Sequence, residues 1–330
     1  MLPVLAWDTE ALQRQLEPHL PGVGVQVLPR CGSTNTALLE DARQARGAFA
    51  PRLLVAEQQT AGRGRLGRQW VSEAGASLTF SLALALARPD WSGLSLAVGL
   101  AVAEALDESA TSAPPADAAD RPGAAQWLSG RIGLKWPNDL WWRGPPATGP
   151  DVPMPGAGNC ALPAGRKLGG ILVETVVAGP QRVAVVGIGL NIRPLPAERA
   201  AALGRELACL QEREAGITAP LALARVAVPL AQALRRFERE GFAAFAAGYA
   251  RRDVLRGHEV ATTDAAAPAG TAEGVADDGA LLVRCGGQRH RIVSGEVSVR
   301  PAGACAGAPP GGPGALGALG GLGASGRGHA

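Results

Sequence analysis

Residues 57–70 (EQQTAGRGRLGRQW) restrict the fold more than any other stretch. Three glycines and three arginines interleave there, and no acid follows Glu57. Glycine inside a helix or strand costs backbone entropy, so the run forms neither stably. It suits a loop in which backbone N–H groups approach a ligand and guanidinium forks face phosphate or carboxylate oxygens. Taken alone, the stretch leaves three readings open: an anion-binding loop for a small molecule, a solvated turn, and a basic RNA-binding segment of the RGG kind.

Composition narrows these. A length of 330 residues allows one large domain and a smaller one. The net charge is only +3 and aromatic residues make up 4% of the chain, so a basic face and stacking platforms for RNA are both wanting. The five cysteines (Cys31, Cys160, Cys209, Cys285, Cys305) are far apart and include no C-x-x-C pair, and the four histidines form no H-x-x-x-H pair. That pattern argues against a disulfide framework and a zinc site and suits a reducing compartment. The N-terminus has Asp8 and Glu10 and no basic n-region, unlike a signal peptide. The apolar runs near 78–87 and 94–106 are too short or too interrupted to span a bilayer. The expectation is a cytoplasmic protein without membrane contact.

Along the chain, residues 1–22 read as a polar, proline-punctuated lead-in, too short for a helix-turn-helix domain. Strands are expected at 23–28 and 53–56. Between them Ser33, Thr34 and Asn35 precede an apolar helical stripe, as an N-cap does. Leu78, Phe80, Leu82, Leu84 and Leu86 alternate with small residues, which marks a strand whose small face can lie under something else. A helix is expected over 94–106 and a surface insertion over 109–126. Residues 132–140 (IGLKWPNDL) read as a short strand that leaves its sheet at Trp-Pro, with Asn138 and Asp139 on the following turn. Residues 143–165 are dense in Gly and Pro and read as a disordered hairpin tip. Strands follow at 166–174 and 183–192, the second with Gly187 and Gly189 at points of close approach. Helices are expected at 197–211 and 221–248, with Pro229 a candidate break in the second. Beyond Gly257, short strands separated by Asp-Gly, Gly-Gly and Ser-Gly turns indicate a small all-β domain, and 301–330 a disordered tail.

Four stretches occur in one order: Ser33-Thr34-Asn35, 59–70, 135–140 (KWPNDL) and 167–174 (KLGGILVE). With the Gly187-to-Asn191 strand and the terminal GEVSVR at 295–300, this set resembles the biotin protein ligases over residues 25–300. The resemblance implies an α+β fold: a mixed-sheet catalytic domain of the biotin/lipoate ligase type over 23–250, then a small SH3-like β-barrel over 251–300. It implies two steps, biotinyl-5′-adenylate formation from biotin and ATP with Mg²⁺, then transfer to a lysine of the biotin carboxyl carrier protein. Such chemistry needs positioning and charge stabilisation, not a protein nucleophile.

By the same resemblance, Lys167, Arg63 and Asp139 carry the catalysis, with Asp139 also a Mg²⁺ ligand. Ser33, Thr34 and Gln59 bind the ureido end of biotin, and Asn35 is a further ligand-binding residue. Gly62, Arg63 and Arg65 lie along the adenylate and the biotin carboxylate in a loop ordered by ligand, Gly64 is a further ligand-binding residue, Arg68 contacts phosphate, and Trp70 helps form the triphosphate site. Lys135 and Asn138 serve the nucleotide, Gly169 and Gly170 approach biotin, and Asn191 lies near adenine. Glu296 and Arg300 support nucleotide binding from the barrel. The insertion before Lys167 departs from the family's short hairpin but leaves both flanking motifs intact. The lead-in argues for a ligase that does not bind DNA, as a monomer or homodimer. Lipoate or octanoate ligation and a non-catalytic, biotin-responsive regulator are the competing readings.

Overall fold

The computed structural model describes residues 5–108, 131–144, 165–195, 207–293 and 300–301. The expectations for 109–126, 301–330 and Glu296, and nearly all of that for 143–165, lie outside them. Helix α1 (Thr9–Leu16) precedes strand β1 (Gly24–Cys31), helix α2 (Thr34–Gln44), strands β2 (Arg52–Gln59) and β3 (Ser77–Ala85), and helix α3 (Leu94–Glu108). Strands β4 (Ile132–Lys135), β5 (Asp139–Trp142), β6 (Arg166–Ala178) and β7 (Gln181–Asn191) complete one sheet, ordered β1-β2-β3-β7-β6-β5-β4. Only β1 and β2 pair in parallel, so the sheet is mixed. Helices α4 (Ala219–Glu240) and α5 (Ala246–Arg252) lead to a second, antiparallel sheet. It contains β8 (Glu259–Ala261), β9 (Ala269–Val275), β10 (Leu281–Cys285), β11 (Gln288–Ile292) and β12 (Arg300–Pro301), in the order β11-β10-β9-β8-β12.

The leucine alternation of β3 explains the layering. Phe80 and Leu82 register with Ile188 and Val186 of β7, and this apolar face packs against α3 and α4. Ala83 and Val185 share the other face, where Leu38, Leu39 and Ala42 of α2 cover them. The central strand is therefore buried on both sides, as the small residues between its leucines allow.

Several elements differ from the sequence reading. The lead-in contains α1, capped by Asp8, whose Leu12 and Leu16 join the main core with Leu20. Strand β4 does not leave the sheet at Trp-Pro. The chain reverses through Trp136–Asn138, with a cis Trp136–Pro137 peptide, and Asp139 opens β5 opposite Lys135. Residues 207–212 are not the end of a helix. The Ala208 N–H donates to the Lys167 carbonyl (2.9 Å) and the Ala208 carbonyl accepts from Asn191 Nδ2 (2.9 Å), so backbone is drawn alongside β6, and only Leu210–Glu212 coils, as a 3₁₀ turn. Pro229 does not break α4. The buried stripe Leu223, Val226, Leu230, Leu234 and Phe237 offsets the roughly 3 kcal/mol that an interior proline costs. The helix ends instead at Gly241, where φ is +71°, a region that favours glycine.

The two sheets meet at the K-W-P-N-D hairpin. Buried Trp136 donates its indole N–H to the Gly279 carbonyl before β10 (2.9 Å). Gly279 packs so tightly that a Cβ there would lie 2.7 Å from the Gly93 Cα. On the sheet edge, Leu134 bridges Asp253 and accepts from the Val254 N–H (3.0 Å). Asp253 accepts from the Leu255 N–H (2.9 Å), but its other oxygen is buried without a hydrogen-bond partner, as is the Tyr249 hydroxyl. Burial pushes the Asp253 carboxyl up to about 6, against the opposing pull of the Leu255 and Arg256 N–H groups, Arg256 and Arg143.

The folded state thus binds the Asp253 proton more tightly than the unfolded chain does. This contribution to stability is complete below about pH 4 and is lost as pH rises through 6. Asp253→Asn is expected to raise stability at pH 7 by on the order of 1–3 kcal/mol and to flatten the pH dependence between 4 and 6, measured by urea unfolding across that range. An unchanged profile would refute the assignment.

Candidate active site

One irregularity assembles the site. In β6, Gly170 pairs with Asp139 and Gly169 with Leu140, but Trp141 pairs with Lys167, so Leu168 is an extra, bulged residue. Side chains alternate strictly along a regular strand, and a bulge shifts that alternation by one. Leu168 therefore enters the core, and Lys167 comes to the same face as Gly170. Across the sheet, Asp139, Gly170, Gly189 and Thr79 form one row, and Leu172, Gly187 and Ser81 the next. Glycine and small hydroxyl residues make this face shallow.

The charged groups lie at its edge. Lys167 Nζ donates to Asp139 Oδ1 at 2.5 Å, with both side chains largely covered. A Cβ at Gly170 would sit 3.3 Å from that Nζ and 3.6 Å from the Trp70 ring. Lys135 stacks its ammonium over Trp141, 4.7 Å from the ring centroid. Burial lowers the Arg65 guanidinium below its ordinary value. Nearby Asp139 counters that shift and Arg68 adds to it, which puts both arginines within electrostatic reach of the cluster.

The Gly/Arg stretch closes over this face as a narrow hairpin. Trp70 N–H donates to the Gly62 carbonyl (2.9 Å), Arg63 bridges Gln69, and Gly64 N–H donates to the Arg68 carbonyl (2.6 Å). Its tip is a 3₁₀ turn over Arg65–Gly67, with exposed Leu66 at φ +56°. A Cβ at Gly62 would fall 2.4 Å from the Trp70 carbonyl oxygen, so only glycine fits there. The Trp70 ring lies on Gly189, where a Cβ would meet it at 2.4 Å, and its indole nitrogen is buried without a hydrogen-bond partner.

The start of α2 forms the far wall. Ser33 caps the helix. Gln59 Oε1 accepts from the Thr34 N–H (2.8 Å) and the Thr34 hydroxyl (3.2 Å). Asn35 Nδ2 donates to the Leu172 carbonyl (3.1 Å) and to Glu174 Oε2 (2.9 Å), and its Oδ1 accepts from Ser81 (2.6 Å). Gly187 is glycine because a Cβ would come within 2.2 Å of that Oδ1.

The structure brings every site residue expected from the sequence to this region, apart from the barrel residue Glu296 and the Arg300 side chain, which are not described. It sorts them, however. The amides of Asn35, Asn138 and Asn191 hold protein groups: Asn138 Nδ2 donates to the Ile171 carbonyl (2.8 Å), and Asn191 bonds the carbonyls of Lys167 (3.3 Å) and Ala208 (2.9 Å). Gly169 faces the opposite way, against Gly189 backbone and Leu190. Arg63, expected along the adenylate, is turned onto Glu174 and binds both its carboxylate oxygens. Sequence reasoning missed Ser72, which bonds Gln59 backbone, and Ser81 and Glu174. Only the register across β3, β6 and β7 reveals the last two.

Cations gathered over a glycine floor, with one carboxylate among them, form a surface suited to anionic small molecules. Residues 27–191 match the biotin/lipoate A/B protein ligase family, and residues 259–300 the biotin protein ligase C-terminal domain. The chain is 30% identical to the bifunctional ligase/repressor BirA of Escherichia coli over 88% of its own length and 78% of BirA. It is also 30% identical to the biotin--[acetyl-CoA-carboxylase] ligase of Paracoccus denitrificans, over 82% of this chain and 98% of that protein. A biotin protein ligase from Aquifex aeolicus, solved in complex with biotin and ATP, superposes with a TM-score of 0.60 at 25% identity, covering 84% of this chain and 99% of that one. The chain belongs to the biotin/lipoate A/B protein ligase family, and its α+β fold, mixed sheet followed by a small SH3-like antiparallel sheet, is that of the biotin protein ligases.

Gly189→Ala should displace the Trp70 ring and cost on the order of 1–3 kcal/mol of stability, the usual range for overpacking. Acrylamide quenching of tryptophan fluorescence should rise, and the rise should vanish in a Trp70→Phe background. Unaltered quenching would mean that the ring does not rest on Gly189.

Proposed function

We propose that this chain is a biotin--protein ligase. The biotin carboxylate oxygen attacks the α-phosphorus of ATP, the bond to pyrophosphate breaks, and biotinyl-5′-adenylate forms. An acceptor lysine amine then attacks the activated carbonyl, and AMP leaves. The acceptor is proposed to be the biotin carboxyl carrier protein, and the compartment the cytoplasm. No helix among the described residues is long and apolar enough to cross a membrane.

The observation that carries this reading is the Lys167–Asp139 pair on the Gly170 face, under the Trp70 ring of the Gly/Arg hairpin. In the proposed mechanism Lys167 exchanges its carboxylate partner for a phosphoryl oxygen and follows the charge that builds there during attack. A fixed cation in a partly water-excluded site stabilises such charge far better than one in solvent. Asp139 orients Lys167 and offsets the repulsion among Lys167, Arg65 and Arg68 until the anions arrive. Gly170 and Gly189 let the ligand lie against backbone, and the unpartnered Trp70 indole supplies a donor to it. Asn191 and Asn138 hold β6 and the hairpin in register, and Ser33, Thr34 and Gln59 face the polar end of biotin.

Mg²⁺ fits this arrangement as a companion of the triphosphate. No cluster of three or more metal-binding side chains occurs among the described residues, but Mg²⁺ brought in by phosphates needs only one or two carboxylates. Asp139 is the carboxylate in place to hold it, and the ion would neutralise charge on the phosphates.

The decisive experiment is pyrophosphate release from ATP and Mg²⁺ with biotin, lipoate or octanoate. Release with biotin alone is expected. Release with lipoate or octanoate instead would move the chain to the sister ligases, and silence with all three from folded protein would favour a regulator. Lys167→Ala should reduce the biotin-dependent rate by about 10²-fold or more, in line with losing a major charge-stabilising group. A wild-type rate in that variant would remove Lys167 from the mechanism.

A further inference from the structure

Glu174 stands in no role so far, yet its carboxylate joins the start of α2 to the Gly/Arg loop across the ligand face. It lies on β6 four residues beyond Gly170, in the row with Val185 and Ala83. Asn35 Nδ2 donates to its Oε2 from the start of α2, and Ser81 holds the same asparagine from β3. Arg63, 111 residues away in sequence, places one guanidinium nitrogen against both carboxylate oxygens. Exposed ion pairs between two mobile side chains contribute little. This one differs, because the carboxylate is fixed from behind by a buried amide and sits in a strand, while the arginine belongs to a glycine-rich hairpin.

We propose that Glu174 is a positioning residue for the Gly/Arg loop: its carboxylate holds Arg63 and thereby fixes the course of the loop segment that carries Arg65. The two arginines flank Gly64 and serve different ends of the site. Arg63 reaches back to Glu174, which Asn35 holds from the start of α2, and Arg65 follows two residues later at the loop tip. A loop tied at Arg63 loses less freedom when a ligand arrives, so the tie lowers the ordering cost of binding. Asn35 and Gly187 belong to the same device, since the missing Cβ of Gly187 makes room for the amide that aims Glu174.

This inference rests on the ligase reading for its effect on binding but not for the tie itself, and the test separates the two. Glu174→Gln preserves size and the Asn35 contact while removing the charge that Arg63 needs. In ligand-free protein, tryptic cleavage after Arg65 and Arg68 should accelerate about tenfold, as for a locally released segment, with other sites and the melting temperature unchanged. The biotin KM for pyrophosphate release should rise about tenfold, with kcat within about twofold. In an Arg63→Met background, Glu174→Gln should change neither quantity, because the carboxylate acts through Arg63. Unchanged loop cleavage, cleavage accelerated throughout the chain, or additive effects in the double variant would each overturn the proposal. If wild-type protein released no pyrophosphate, the ligase reading would fail while the cleavage result would still decide the tie.

Discussion

The bulge at Leu168 is the constraint on which the site depends. A regular β6 would place Leu168 beside Gly170 on the ligand face and bury Lys167 among the core side chains behind it. An unpaired ammonium in that core would be far more costly than the ladder hydrogen bond disrupted by the bulge. One extra residue resolves both demands, because the leucine fills the core and the lysine meets Asp139. The strand remains continuous, so the lysine is carried by a rigid sheet and not by a loop.

The remainder of the ligand face is shaped by what is left out. Gly170, Gly187 and Gly189 form a trough between larger neighbours, and each omission has a particular beneficiary: Lys167, Asn35 and Trp70 respectively. The opposite face of the same strands is continuous Leu, Ile, Val and Phe, locked against α3 and α4. Stability and ligand contact are thereby divided between two sides of one sheet.

Much of this was legible in the chain because the signals were local. The leucine alternation of β3, the Ser33 cap, the Gly/Arg loop and the glycines of β7 each announce themselves within ten residues. What was not legible depends on partners distant in sequence. Strand β5 reads as a turn followed by aromatics until Lys135 is seen to pair with Asp139. The 207–212 segment looks helical in isolation, but Asn191 and the Lys167 carbonyl capture its backbone. Pro229 suggests a break that the buried stripe of α4 overrides. Among site residues, Glu174 lies within a recognised motif, yet nothing in the motif shows that its carboxylate receives Arg63 across 111 positions.

The Trp136 hydrogen bond has a consequence for modularity. The tryptophan belongs to the catalytic hairpin by sequence, but its acceptor, the Gly279 carbonyl, lies just before β10 of the second sheet. The catalytic unit therefore does not contain all the groups that satisfy its own motif. A fragment ending before β8 would lose the acceptor of the Trp136 indole N–H, three residues from Asp139. The small sheet is in this sense a wall of the larger domain, supplied from outside its own sheet.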